Sequence, residues 1–173
     1  MKSLFDFLGL SPPAGASETT SVPRIVAALE ELPPEKARFT ACFAFLLGRV
    51  AHADLHISDA EKKKMAEIVA RDGHLPPEQA SLVVEIASSE NEAFGSSRGF
   101  QVAREFRSIS SRDQRRDLMH CLFAVSIADH EISGNEEKQL RNIAEELGFS
   151  HREYIEVRSD YNEHRSVVKR LKQ

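Results

Sequence analysis

VAHADLHISDAE, residues 50–61, has a second version at residues 125–136, VSIADHEISGNE. In each, an apolar run breaks at Ala-Asp and restarts at Ile-Ser with a Glu three residues on. Aligning residues 50–78 with 125–153, a shift of 75, gives ten identical positions in 29, where average composition gives about two. The pairs are Val50/Val125, Ala53/Ala128, Asp54/Asp129, Ile57/Ile132, Ser58/Ser133, Glu61/Glu136, Lys63/Lys138, Ile68/Ile143, Gly73/Gly148 and Glu78/Glu153. The chain therefore carries an internal duplication of a helix–joint–helix–Gly–helix unit. Two copies are too few for a solenoid, so they are expected to pack against each other.

Each joint has a local logic. Ser58 and Ser133 suit N-caps, because a hydroxyl oxygen accepts from a free N–H of the first helical turn. Glu61 and Glu136, three residues later, complete a capping box, and Ile57 and Ile132 suit the hydrophobic staple before it. Asp54 and Asp129 are different. An acid at a helix C-terminus opposes the helix dipole, at about 0.3–1 kcal/mol when exposed. Both copies carry it, and helix formation alone does not account for it.

Working outward, helix signals recur along the whole chain. Pro23 suits a first helical position, and Pro34 opens a helix with Phe39, Phe43, Leu46, Leu47 and Val50 on one stripe. A helix from Ser58 turns Met65, Ile68 and Val69 inward and Lys62, Lys63 and Lys64 largely to solvent, and Asp72-Gly73 stops it. Pro76-Pro77-Glu78 starts the next. After a loop over residues 88–99, a fifth helix carries Phe100, Val102, Phe106 and Ile109. Ser111 or Asp113 opens a sixth, Ser133 a seventh ending at Gly148, and Ser150 caps the last, with a bend near Asp160. No stretch reads as a strand. The expected fold is all-α, a single helical bundle of about seven to nine helices. Residues 1–20 read as an N-terminal segment and flexible linker. Residues 21–173 read as the helical domain, with repeats near 35–87 and 112–160.

Composition narrows the function. A hydrophobic content of 41% against 29% charged is that of a folded globular chain. A net charge of −4 lacks the basic balance of a general nucleic-acid binder. Six arginines lie between Arg98 and Arg116, with Glu105, Asp113 and Asp117 among them. They read first as a solvated face, with an anion or nucleic-acid site as the alternative. Cys42 and Cys121 sit in apolar helical runs and read as buried thiols rather than a disulfide or ligand pair. No apolar run reaches the roughly 18 residues of a membrane span. MKSLFDFLGL is a poor signal peptide, since Asp6 interrupts its apolar core, and a cytoplasmic location is expected. Leu4, Phe5, Phe7 and Leu8 form an amphipathic turn that either packs on the body or docks on a partner. No nucleophile–base pair, phosphate loop or HExxH motif is present, so the chain reads as non-enzymatic, with no small-molecule substrate indicated.

At its two joints the sequence resembles the TerB-like family, named for bacterial tellurite-resistance proteins. A related module forms the N-terminal part of some membrane-anchored DnaJ-like co-chaperones. The family pattern is an apolar helix ending in Ala-Asp-Gly, then Ile-Ser, two residues and Glu, followed by a helix and a Leu-Gly stop. Here it stands as Ala53-Asp54, Ile57-Ser58 and Glu61, and again as Ala128-Asp129, Ile132-Ser133, Glu136 and Leu147-Gly148. The resemblance covers roughly residues 35–158. It implies an all-helical fold, a role in tellurite resistance or a stress response, and an acidic metal site at Asp54, Glu61, Asp129 and Glu136. It also implies a protein partner, with a membrane-associated one among the options. Where the family has Gly after the Asp, this chain has Leu55 and His130, and Leu resists the left-handed turn that Gly permits.

Four carboxylates brought together repel unless protonated or bridged by a cation. Oxygen ligands alone suit Ca²⁺, Mg²⁺ or Mn²⁺, and His52, His56 or His130 would shift the choice toward Zn²⁺. The joint is no EF-hand, since Asp to Glu spans seven residues and the mid-loop Gly is missing. Two readings stand: a divalent-cation site shared by the joints, or a helical docking module whose acidic joints are purely structural.

Overall fold

The computed structural model describes residues 22–51, 58–88, 98–128 and 132–164. Among the described residues eight α-helices follow one another: α1 (Val22–Glu30), α2 (Pro34–Ala51), α3 (Asp59–Asp72), α4 (Pro77–Ala87), α5 (Arg98–Ile109), α6 (Arg112–Ile127), α7 (Gly134–Glu146) and α8 (His151–Ser159). A 3-10 turn at Asn162–His164 ends the described chain, and no β-strand lies among the described residues. The all-α expectation of seven to nine helices holds.

Helix α2 sets the arrangement. Every residue from Thr40 to Gly48 is buried. A helix apolar on all sides must lie inside the bundle. Around it pack α1, α4, α5, α6 and α7. Its one polar residue in that run is satisfied, since the Thr40 hydroxyl donates to the Lys36 carbonyl at 2.7 Å and accepts from Gln79 Nε2 at 2.7 Å. Phe39 and Phe43 meet Phe106 of α5 with ring centroids 5.1 and 6.1 Å apart.

Helix α6 is the counterpart of α2 in the second copy, with Leu118, Met119 and every residue from Cys121 to Ser126 buried. The copies do not simply sit side by side. Helix α3 of the first packs on α6 of the second, and α7 of the second packs on α2 of the first. That reciprocal crossing is what an approximate two-fold relation requires. It also brings the start of each copy's second helix against the other copy.

The expected inward face of α3 holds, with Met65, Ile68 and Val69 buried, and Val83 and Ile86 of α4 and Leu140, Ile143 and Leu147 at α7 are buried as well. Phe100 is an exception. It is 58% exposed, and α5 turns Val102, Ala103 and Phe106 into the core instead. Pro23 stands second in α1 rather than first. Both cysteines are buried free thiols, and burial pushes the Cys42 thiol up to about 12. Residues 1–21, including the expected N-terminal segment, lie outside the described residues, as does the basic tail from Arg165.

Candidate cation site at the paired joints

The two joints begin their second helices in the same way. Ser58 has extended backbone (φ −67°, ψ 162°) and its Oγ accepts from the Glu61 N–H at 3.3 Å. Glu61 Oε2 in turn accepts from the Ser58 N–H at 2.6 Å. In the second copy Ser133 (φ −69°, ψ 163°) accepts from the Glu136 N–H at 3.2 Å, and Glu136 Oε2 accepts from the Ser133 N–H at 2.8 Å. These bonds and the nearby Lys64 hold the Glu61 carboxyl below its ordinary range, the Ser58 bonds contributing most. Ser111 with Gln114 and Ser150 with Glu153 form the same box at α6 and α8. Capping therefore suffices to explain Ser58, Glu61, Ser133 and Glu136 as residue choices. Ser58→Ala and Ser133→Ala should each cost about 0.5–2 kcal/mol. Thermal melting reads this directly, and two unshifted single variants would remove the assignment.

What capping does not explain is how the joints are tied to each other. Lys64, one turn into α3, donates from Nζ to the Ala128 carbonyl at 2.8 Å, at the end of α6. Gln139, at the equivalent position of α7 seventy-five residues on, donates from Nε2 to the Arg49 carbonyl at 3.1 Å, near the end of α2. Each copy thus sends one donor from its second helix to the terminal carbonyls of the other copy's first helix. Lys64 is exposed as expected, and it also makes this tie. Ile132, buried within the second joint, donates its N–H to the His164 carbonyl at 2.9 Å, so the C-terminal turn closes over that joint.

Glu61 and Glu136 each spend Oε2 on the cap, which leaves Oε1 of each as a hard oxygen donor. Asp54 and Asp129, the other two expected ligands, lie outside the described residues, with His52, Leu55, His56, Ile57 and His130. Among the described residues no group of three His, Cys, Asp or Glu side chains is placed to hold a metal ion. The donor chemistry fits a hard divalent cation if the two Asp side chains join the two Glu oxygens. The ties from α3 to the end of α6 and from α7 to the end of α2 set each copy's second helix against the end of the other copy's first helix.

A second tie between the copies has no local sequence signal. Arg49 Nη1 and Nη2 donate to Glu146 Oε2 and Oε1 at 2.6 and 3.3 Å. The pair is mostly buried, with side chains 10% and 18% exposed. Gly99 lies against the same guanidinium, since a Cβ there would fall 2.9 Å from Arg49 Cζ. Arg49 and Glu146 are separated by almost a hundred residues and neither belongs to a duplicated pair, so no local signal marked them.

An all-helical tandem repeat with capped, cross-tied joints is the class that these elements define. A family model described as "Tellurite resistance protein TerB" matches residues 40–159, and the chain belongs to that family. No curated protein and no solved structure matches the chain. No helix of the described residues is long and apolar enough to cross a membrane.

Proposed function

We propose that this TerB-family chain is a non-enzymatic accessory protein of tellurite resistance or a related stress response, and that its paired joints bind one divalent cation. The observation that supports this reading is the cross-tie of the joints by Lys64 and Gln139. It sets the start of α3 beside the end of α6, where Asp129 follows in the chain. The reciprocal crossing does the same for α7 and α2, where Asp54 follows. Asp54, Glu61, Asp129 and Glu136 would hold the ion, Glu61 and Glu136 through the oxygens their caps leave free. A bound divalent cation supplies charge neutralisation between the two acidic joints and locks their relative position. The joints would then act as a cation-sensitive clamp between the two copies, and a protein partner would read the clamped form. Elemental analysis of tag-free protein after dialysis against Ca²⁺, Mg²⁺, Mn²⁺ and Zn²⁺ should find close to one ion per chain for one of the four. Absence of bound metal in all four would leave the helical docking module as the reading.

A further inference from the structure

The arginines between residues 98 and 116 read first as a solvated face, with an anion or nucleic-acid site as the alternative, and three of them gather on one turn. Helix α7 closes in a Schellman motif. Gly148 takes φ +81°, its N–H donates to the Glu145 carbonyl at 3.0 Å, and the Phe149 N–H donates to the Ala144 carbonyl at 2.9 Å. Two carbonyls at the helix end are taken by guanidinium groups. Arg115 Nη1 donates to Leu147 O at 3.1 Å, and Arg112 Nη1 donates to Gly148 O at 3.4 Å. Arg112 also lies over the Phe149 ring, 5.3 Å from its centroid. The third guanidinium, Arg107, comes from α5. It occupies the face of Gly148 that a side chain would fill, since a Cβ there would fall 2.5 Å from Arg107 Cζ.

Charge at this turn does not balance. Glu153 is the one carboxylate paired into it among the described residues, and both its oxygens are committed. Oε1 takes Arg112, while Oε2 takes the Ser150 N–H and hydroxyl. Arg112 and those Ser150 bonds hold the Glu153 carboxyl down at about 2, so it is ionised at neutral pH. The negative end of α7 offsets only about half a charge, and the positive start of α8 returns a similar amount. Among the described residues, three guanidinium groups against one carboxylate leave roughly two positive charges over. Burial first, and then the neighbouring Arg112 and Arg107, push the Arg115 guanidinium pKa down. Arg107 makes no hydrogen bond or ion pair among the described residues. A purely structural role as C-terminal caps explains Arg112 and Arg115, which reach carbonyls. It does not explain why a third guanidinium is laid on the same glycine with no acceptor among the described residues.

We propose that Arg107, Arg112 and Arg115 form an oxyanion subsite at the Leu147–Ser150 turn that takes a phosphate monoester dianion. Two unbalanced charges match a doubly charged group, and planar guanidinium forks match phosphate oxygens in pairs. The phosphate comes either from a soluble ester or from a phosphatidate headgroup in a bilayer. The site is independent of the paired joints and of any metal there.

The test uses the full chain and phenyl phosphate, with chloride replaced to hold ionic strength constant. The Gly148 and Phe149 amide resonances should shift along a saturable curve with a millimolar dissociation constant. Arg107→Gln should weaken that binding by about fivefold or more, as expected for losing one charge-assisted contact at a partly exposed site. Melting of the phosphate-free variant should stay close to wild type, because Arg107 ties down no carbonyl. Phosphatidate vesicles provide the second arm. Co-sedimentation that Arg107→Gln abolishes assigns the phosphate to a lipid, and saturation by phenyl phosphate without co-sedimentation assigns it to a soluble ester. No saturable shift up to about 100 mM, a concentration at which even a very weak specific site would fill, together with no vesicle binding overturns the proposal. Unchanged affinity in Arg107→Gln overturns it as well.

Discussion

Phe106→Ala should lower stability by about 3–5 kcal/mol, among the largest losses expected of any single substitution in this chain. Phe106 is fully buried and joins α5 to α2 through Phe39 and Phe43. Removing the ring forfeits its transfer free energy and leaves a cavity between helices whose other contacts prevent collapse. For a domain of this size that loss corresponds to a fall in melting temperature of roughly 6–20 °C. Phe100→Ala, six residues nearer the N-terminus of the same helix, removes an exposed ring and should change melting little. Chemical denaturation of the two variants side by side reads the difference. Equal losses would contradict the assignment of the buried face of α5.

Arg49→Met should cost about 3 kcal/mol or more, because Glu146 would be left as a mostly buried carboxylate without its partner. The double variant Arg49→Met with Glu146→Leu should recover most of that loss, since removing both charges also removes their desolvation cost. A double-mutant cycle by denaturant unfolding gives the coupling. Additive losses would show that the two side chains act separately, against the bidentate geometry.

How much of this was legible in the sequence depended on whether a signal was local. The serine caps were, because Ser58 and Glu61, or Ser133 and Glu136, are three residues apart and the box needs nothing beyond its own turn. The inward stripe of α3 was legible from the spacing of Met65, Ile68 and Val69. Phe100 misled because its apolar character grouped it with Val102, Phe106 and Ile109, against the helical spacing. Two residues before Val102 is some 200° around a helix, the opposite face. Lys64 and Gln139 occupy equivalent positions but are not identical, so the pair that ties the joints is not among the ten identities of the duplication. The arginines of α5 and α6 showed their number in sequence. Their convergence on Gly148 depends on how α5 and α6 meet the end of α7, which no local spacing encodes. Of the four expected cation ligands, Glu61 and Glu136 take their expected places at the helix starts, while Asp54 and Asp129 lie outside the described residues.

Cation-dependent melting of the wild type against Asp54→Asn combined with Asp129→Asn tests the paired-joint account most directly. The asparagines keep shape and remove charge. If the joints share a cation, binding to the folded chain alone must raise the wild-type melting temperature in step with ion concentration. Leu55 and His130, where the family has Gly, argue for extending the series to millimolar Ca²⁺, Mg²⁺ and Mn²⁺ beside micromolar Zn²⁺. The account predicts a clear rise for at least one ion in the wild type and a much smaller one in the double variant. A flat response to all four ions, or an equal rise in both proteins, would contradict it.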